Sequence, residues 1–285
     1  MRRQWIHRNA DVGTIEARDE MDDDGSEAPP AGGFIVPSWA KFITRIRASA
    51  ALDGAAVGNG IIAGYLEGGL DNGDARFHFL IAGSGGQVAT GTQNAVPAYE
   101  SPPLNVPIAQ AKEGGTRIRV FSGVFGDAEN DTEASISIQV SDSPNPGGAV
   151  WSRGFMADVD TVDTSTSLTG AFLEDTNPPT AIPSAARELA WVSGAFGFDQ
   201  AADGTYACKV VIQAGPIMDQ QDITIGAGGS IAGQAGSDEG WMTVLASNAE
   251  VYNPVTGGDL AGKVRGEQMG DDAGSGQVAA VLWFR

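Results

Sequence analysis

One cysteine, two histidines and four lysines are all that this chain of 285 residues contains of those types, and long apolar runs are missing altogether. Each shortage removes a class of protein. A lone thiol, Cys208, cannot build an intramolecular disulfide framework. It lies in the apolar run Tyr206-Ala207-Cys208-Lys209-Val210-Val211, where a buried, inert thiol is expected. One cysteine and two separated histidines leave too few ligands for a zinc centre. No stretch reaches the roughly 18 apolar residues of a membrane span, so none is expected. The segment Met1-Arg2-Arg3-Gln4-Trp5-Ile6-His7 carries positive charge without a following apolar stretch, so no secretion signal is expected.

The histidines also limit catalysis. A Ser-His-Asp triad needs a serine, a histidine base and an orienting carboxylate converging in space. His7 lies near the N-terminus and His78 in the strand-like Arg76-Phe77-His78-Phe79, and no G-x-S-x-G elbow accompanies either. Glycoside cleavage would need two carboxylates held about 5–10 Å apart in a cleft. Carboxylates are so numerous here that no pair stands out. No catalytic residue is assigned, and no enzymatic activity is expected.

Positive charge is scarce as well. Against 36 acidic residues stand 17 basic ones, giving a formal charge of −19. The lysines are Lys41, Lys112, Lys209 and Lys263, and 23 of the acids are aspartates. Such a surface repels nucleic acid phosphates, so a nucleic acid partner is not expected. An Asp-rich, Lys-poor balance suits a saline setting, where salt screens self-repulsion over a few ångströms; a high-GC genome gives the same bias. Oxygen-rich stretches such as Asp71-Asn72-Gly73-Asp74, Asp127-Ala128-Glu129-Asn130-Asp131 and Asp271-Asp272 offer the hard ligands that calcium takes. None has EF-hand spacing, and solvated acidic turns are the simpler account. No cofactor is therefore assigned, calcium being the one metal left open. The glycine string Gly226-Ala227-Gly228-Gly229-Ser230-Ile231-Ala232-Gly233 lacks the Lys-Ser/Thr of a phosphate loop and is expected to be a flexible β–β loop.

What the chain does contain is a second statement of itself. Ala10-Asp11-Val12-Gly13-Thr14-Ile15 reappears as Ala157-Asp158-Val159-Asp160-Thr161-Val162, half a chain away. Trp5 answers to Trp151, Arg8 to Arg153, Pro29-Pro30 to Pro178-Pro179, and Val36-Pro37-Ser38 to Ile182-Pro183-Ser184. Farther on, Asn105 answers to Asn253 and Arg119 to Arg265. Solenoid repeats run to roughly 20–50 residues, so a repeat of this length is a small domain in itself. Forty glycines and fourteen prolines, far above the roughly 12% these two contribute on average, punctuate short apolar runs and favour an all-β chain. Strands are predicted at Phe42–Ser49, Ile61–Leu66, Arg76–Ala82, Thr116–Phe125 and Ala134–Val140. The second copy predicts them at Leu189–Phe198, Tyr206–Gln213, Asp222–Ile225, Trp241–Leu245, Lys263–Arg265 and Gln277–Phe284.

These patterns predict two tandem jelly-roll-like β-sandwich domains arising from an internal duplication. The first domain is 1–143, a polar arm (1–33) with a strand expected around Trp5 to Ile15, plus a sandwich (34–140). The second is 144–285, a linker and arm (144–180) plus a sandwich (181–285). Ser141 to Gly148 marks the boundary. Trp5 and Trp151 stand at matching places in the two arms, each packing on its own domain or anchoring a neighbouring subunit. The terminal run Val281-Leu282-Trp283-Phe284 should be tied into the second sandwich.

Each copy shows a proline-led apolar strand (Ile35-Val36-Pro37; Ile182-Pro183), an alternating strand, glycine-rich loops and a hydrophobic closing strand (Ile136–Val140; Val281–Phe284). That order resembles viral and C1q/TNF-type jelly rolls. It is similar to the tandem jelly-roll modules of bacterial and archaeal virus structural proteins: capsid and decoration components and head or tail spikes. The resemblance implies a non-enzymatic virion protein that assembles as a homo-oligomer, often a trimer, alongside other virion proteins. It implies a place in the virion, after assembly in the host cytoplasm, and carries over no catalytic residue. A carbohydrate-binding adhesin or spike, contacting a host surface glycan through its glycine-rich loops, is the alternative. A polysaccharide-cleaving enzyme comes third.

Overall fold

Period-two alternation broken by glycine turns leaves little for a helix to use, and among the described residues every extended regular element is a strand. A computed structural model describes residues 1–11, 19–20, 33–53, 60–86, 93–95, 98–110, 115–126, 132–158, 165–168, 180–199, 204–213, 221–230, 241–242, 247–255, 257–270 and 275–285. The first half holds β1 (Arg3–Asp11), β2 (Asp19–Glu20), β3 (Phe34–Val36), β4 (Phe42–Asp53), β5 (Gly60–Glu67), β6 (Arg76–Gly86), β7 (Gln93–Ala95), β8 (Tyr99–Glu100), β9 (Val106–Pro107), β10 (Thr116–Gly126) and β11 (Thr132–Ser141). The second holds β12 (Trp151–Asp158), β13 (Ser165–Ser167), β14 (Glu188–Asp199), β15 (Gly204–Ile212), β16 (Gln221–Ser230), β17 (Trp241–Met242), β18 (Ser247–Pro254), β19 (Val264–Gly270) and β20 (Ser275–Phe284).

The described strands make four antiparallel sheets. The first is β1-β11-β4, with β7, β8 and β9 also pairing β4; the second is β6-β5-β10, with β2 and β3 on β10 and β17 on β6. The third runs β12-β20-β14-β18 and the fourth β13-β19-β15-β16. The chain is thus an all-β protein of packed antiparallel sandwiches. In each half the opening strand pairs with the closing one, β1 with β11 and β12 with β20, and the closing strand pairs with the long strand after the proline turn, β4 or β14.

Detail recurs along with strand order. A β-bulge at Thr44 on β4 is matched by one at Ala190 on β14, and a bulge at Ile81 on β6 by one at Ile225 on β16. Bulges re-aim a strand and are features rather than defects, and here they fall at matching places in the two halves. The Pro37 carbonyl accepts from the Ala40 N–H at 2.9 Å, as the Pro183 carbonyl does from Ala186. Arg8 Nε donates to the Gly33 carbonyl at 3.0 Å, and Arg153 Nε to that of Ala181 at 2.9 Å. One sequence match shifts by a residue: Pro107 faces Phe42 and Pro254 faces Glu188, so the prolines correspond rather than Asn105 and Asn253.

The strand expected around Trp5 to Ile15 within the first arm is present as Arg3–Asp11, paired along its whole length with β11, and Trp151–Asp158 pairs likewise with β20. One expectation changes. Gly226–Ser230, expected as a flexible loop, is the second half of β16, paired with Gly204–Cys208. Its glycines carry no side chains to show a period, but their backbone groups still complete the ladder. The rest of the glycine string, Ile231 to Gly233, and the acidic stretches Asp127–Asp131 and Asp271-Asp272 lie outside the described residues.

The burial pattern explains why β20 is apolar at successive positions, Val278 to Phe284. Along β20, Val278, Ala280, Leu282 and Phe284 enter a core with the fourth sheet, while Ala279, Val281 and Trp283 enter the core of the first sandwich. A strand covered on both faces has no solvent side to keep polar, so it reads as continuous rather than alternating. The same holds for Phe79 to Ile81 on β6, which packs against β12, β14 and β20. The core of the first sandwich therefore continues across the junction onto one face of the third sheet, while the other face of that sheet helps to build the second sandwich's own core. No described helix is long and apolar enough to cross a membrane.

Candidate functional site

Burial of polar side chains is costly unless they find partners, and here they gather where the sandwiches meet. Ser193, on the junction face of β14, accepts from the Trp283 indole Nε1 at 2.6 Å and donates to Asn248 Oδ1 at 2.6 Å. The Tyr99 hydroxyl, from β8 of the first half, lies 2.9 Å from Ser193 Oγ and 3.0 Å from Asn248 Oδ1. Asn248 Nδ2 donates back to the Glu100 carbonyl at 2.8 Å. Burial holds the Tyr99 phenol far above its usual range, so it stays a neutral donor.

A second group lies around the Asp71–Asp74 turn. Arg153, almost fully buried, grips Asp74 with both terminal nitrogens, at 2.7 and 3.1 Å. Two parallel bonds of this kind combine charge with fixed geometry. Asn72 Nδ2 donates to the Val150 carbonyl at 2.9 Å, and the Asn72 carbonyl accepts from the Trp151 indole at 2.6 Å. The turn read as a calcium candidate is therefore engaged in clamping the second half onto the first. Among the described residues no group of three or more metal-ligating side chains comes together.

His78 belongs to the same junction. Its backbone N–H donates to Ser152 Oγ at 2.6 Å, and its ring is buried beside Tyr65. Desolvation, reinforced by Arg153 and Arg76, lowers its pKa to about 3, so the ring is neutral at physiological pH. The unfolded chain then binds the proton first, near pH 6.5. The histidine's contribution is complete above that pH and is lost progressively as the pH falls toward about 3, by about 1.4 kcal/mol for each pH unit. Urea midpoints at pH 7, 5.5 and 4.5 should fall less steeply for His78→Gln than for the native chain. Parallel pH curves would show that the histidine has no part in acid unfolding.

The remaining sequence candidates fall elsewhere. His7 is exposed on β1, with its Nδ1 2.9 Å from Ser137 Oγ. Cys208 is buried on β15, and burial pushes its thiol up to about 12, which keeps it protonated and unreactive. The matched tryptophans part company. Trp151 is half-buried, held by Asn72 and packed on the second core. Trp5 is 43% exposed on the outward face of the first sheet. Tyr252, which sequence reasoning passed over, is exposed with a φ of 51°, a strained backbone for an aromatic residue. It sits under the Arg285 guanidinium, 5.4 Å from ring centroid to Cζ.

Fold and junction together describe a pair of like-built antiparallel sandwiches cemented into one body through buried polar residues. No protein-family model matches the chain, and no curated protein matches it. Similar solved structures include N-glycanase F (PNGase F), 8% identical with a TM-score of 0.35, covering 98% of this chain and 95% of that one. The tandem CBM22-1–CBM22-2 domain of Paenibacillus barcinonensis Xyn10C is 11% identical with a TM-score of 0.24, covering 97% and 92%. The PBSX exported protein XepA is 12% identical with a TM-score of 0.20, covering 98% and 86%. Likeness at this level says nothing of this chain's activity.

Proposed function

We propose that this protein is a non-enzymatic structural component of a virion, working by assembly with copies of itself and with other virion proteins. The observation that supports this most is the junction. Tyr99, Ser193, Trp283, Arg153, Asp74 and Asn72, the polar groups best placed for chemistry, are engaged with one another in joining two sandwiches. What results is a stiff block rather than a pair of domains on a hinge, since a core continued across the junction resists relative movement. Recurrent strand order and bulges support an origin by internal duplication, and repeated architecture without repeated chemistry suits a building block.

Two measurements test this reading. The polypeptide should be found by mass spectrometry in purified particles of the virus that encodes it. Its absence from particles, with measurable depolymerisation of a polysaccharide by the purified chain, would replace assembly by catalysis.

A further inference from the structure

We propose that β1 is a docking edge, along which two copies of this chain pair antiparallel about a two-fold axis at His7. This rests on the assembly reading and names the contact that carries it. An edge strand presents N–H and C=O groups without ladder partners, and proteins guard such edges by shortness, bulges, proline, lysine or cover. Among the described edges β1 is the exception. β2, β3, β7, β8, β9, β13 and β17 run for only two or three residues. β16 and β18 each pair their neighbour with a register shift. β12, which matches β1 in the second half, is held by the Asp71–Asp74 turn through Trp151 and Arg153. β1 has nine residues with neither proline nor lysine, and its register against β11 never shifts.

Alternation decides which backbone groups are open. The Arg2 carbonyl accepts from the Asp142 N–H at 3.2 Å, so the even-numbered residues of β1 turn their backbone groups toward β11. Arg3, Trp5, His7, Asn9 and Asp11 turn theirs to the free edge. Arg8 touches this edge at one point, its Nη1 donating to the His7 carbonyl at 2.8 Å. A carbonyl oxygen has two lone pairs, so this one still accepts from a second strand.

The occupant follows from the strand's own sequence. Antiparallel pairing of β1 with itself overlaps over all nine residues in a single register, the one centred on His7. In that register Arg3 of each copy stands opposite Asp11 of the other, and Trp5 opposite Asn9. Residues of opposite charge at facing positions stabilise a strand pair, and the two-fold axis supplies this match twice. Any other register shortens the ladder and parts Arg3 from Asp11. Trp5, 43% exposed, comes to lie diagonal to His7 of the second copy, a separation that an aromatic ring spans. The ladder joins the two β1-β11-β4 sheets into one continuous sheet, the mode by which exposed edges take up a further strand.

Sedimentation velocity of the full chain over a concentration series tests the proposal. The native chain should sediment as a dimer. His7→Pro removes an N–H that points away from β11, so the ladder within the chain stays whole while dimerisation falls by about tenfold or more. Arg3→Glu sets like charges opposite each other twice and should weaken dimerisation by about tenfold. Arg3→Glu combined with Asp11→Arg should restore it. Circular dichroism reports whether each variant folds, and if His7→Pro does not, the charge swap still decides. A monomeric native chain, a trimer, a folded His7→Pro variant that dimerises like the native chain, or a swap that restores nothing would overturn the pairing. A monomeric chain whose β1 amides gain hydrogen-exchange protection only inside purified particles would overturn it too, and give the edge to another virion protein. Recovery of the polypeptide in particles bears on the assembly reading separately, so either can fail without the other.

Discussion

Trp283→Ala is expected to destabilise the protein by about 3–5 kcal/mol, a large part of the 5–15 kcal/mol that holds a typical domain together. The indole is 0% exposed and lies 5.6 Å from Phe77, ring to ring, so truncation empties a cavity between the two halves. It also strips Ser193 of its indole donor. Trp283→Phe keeps an aromatic ring there but not the hydrogen bond, and should cost about 0.5–1.5 kcal/mol, the net worth of one hydrogen bond, since Ser193 keeps Asn248 and Tyr99 as partners. Urea unfolding gives both values from the midpoint at constant slope. Because the core is continuous across the junction, fluorescence and far-UV circular dichroism should report one coincident transition in the native chain. Two separated transitions would mean that the sandwiches fold independently and that the junction adds little.

Asp74→Ala should cost about as much, roughly 3–5 kcal/mol, because it strands a buried guanidinium. Arg153 is 4% exposed at its side chain and Asp74 19%, so water replaces the lost carboxylate poorly. The remaining partners of Arg153, the Ala181 and Ser152 carbonyls, are neutral and leave its charge uncompensated. The double variant Asp74→Leu with Arg153→Met removes the charge and its partner together. It should recover most of the loss, since a buried ion pair often stabilises no more than an apolar pair of similar volume. The four-corner cycle of midpoints checks this. A double variant as unstable as Asp74→Ala alone would show that Arg153 acts through its carbonyl contacts rather than its charge.

The site was less legible in the sequence than the fold. Trp5 and Trp151 look alike as letters, each near the start of a strand that follows polar residues. Only the packing of the second half against the first gives Trp151 the Asn72 carbonyl, while Trp5 has sheet on one side and open space on the other. Asp71-Asn72-Gly73-Asp74 reads as a metal loop or a solvated turn because its oxygens are visible in sequence and Arg153 is 79 positions away. Ser193 and Tyr99 carry no signal at all, being a serine in an apolar run and a tyrosine near prolines. Their meeting is 94 residues apart in the chain. A clue did exist in the unbroken runs Phe79 to Ile81 and Val278 to Phe284, since an outer strand of a soluble sandwich should alternate.

By itself the sequence determined that this is an all-β, acidic protein. Strand periodicity, glycine turns and charge are local or additive properties, and local properties survive without tertiary context. Tertiary structure alone decided which side chains meet. It put the closing strand between two cores, locked Arg153 onto Asp74, buried His78 as a neutral ring, and left the outward face of β1 uncovered. Those outcomes depend on how one sandwich lies against another, and a contact between distant residues is a property of packing rather than of any stretch of chain.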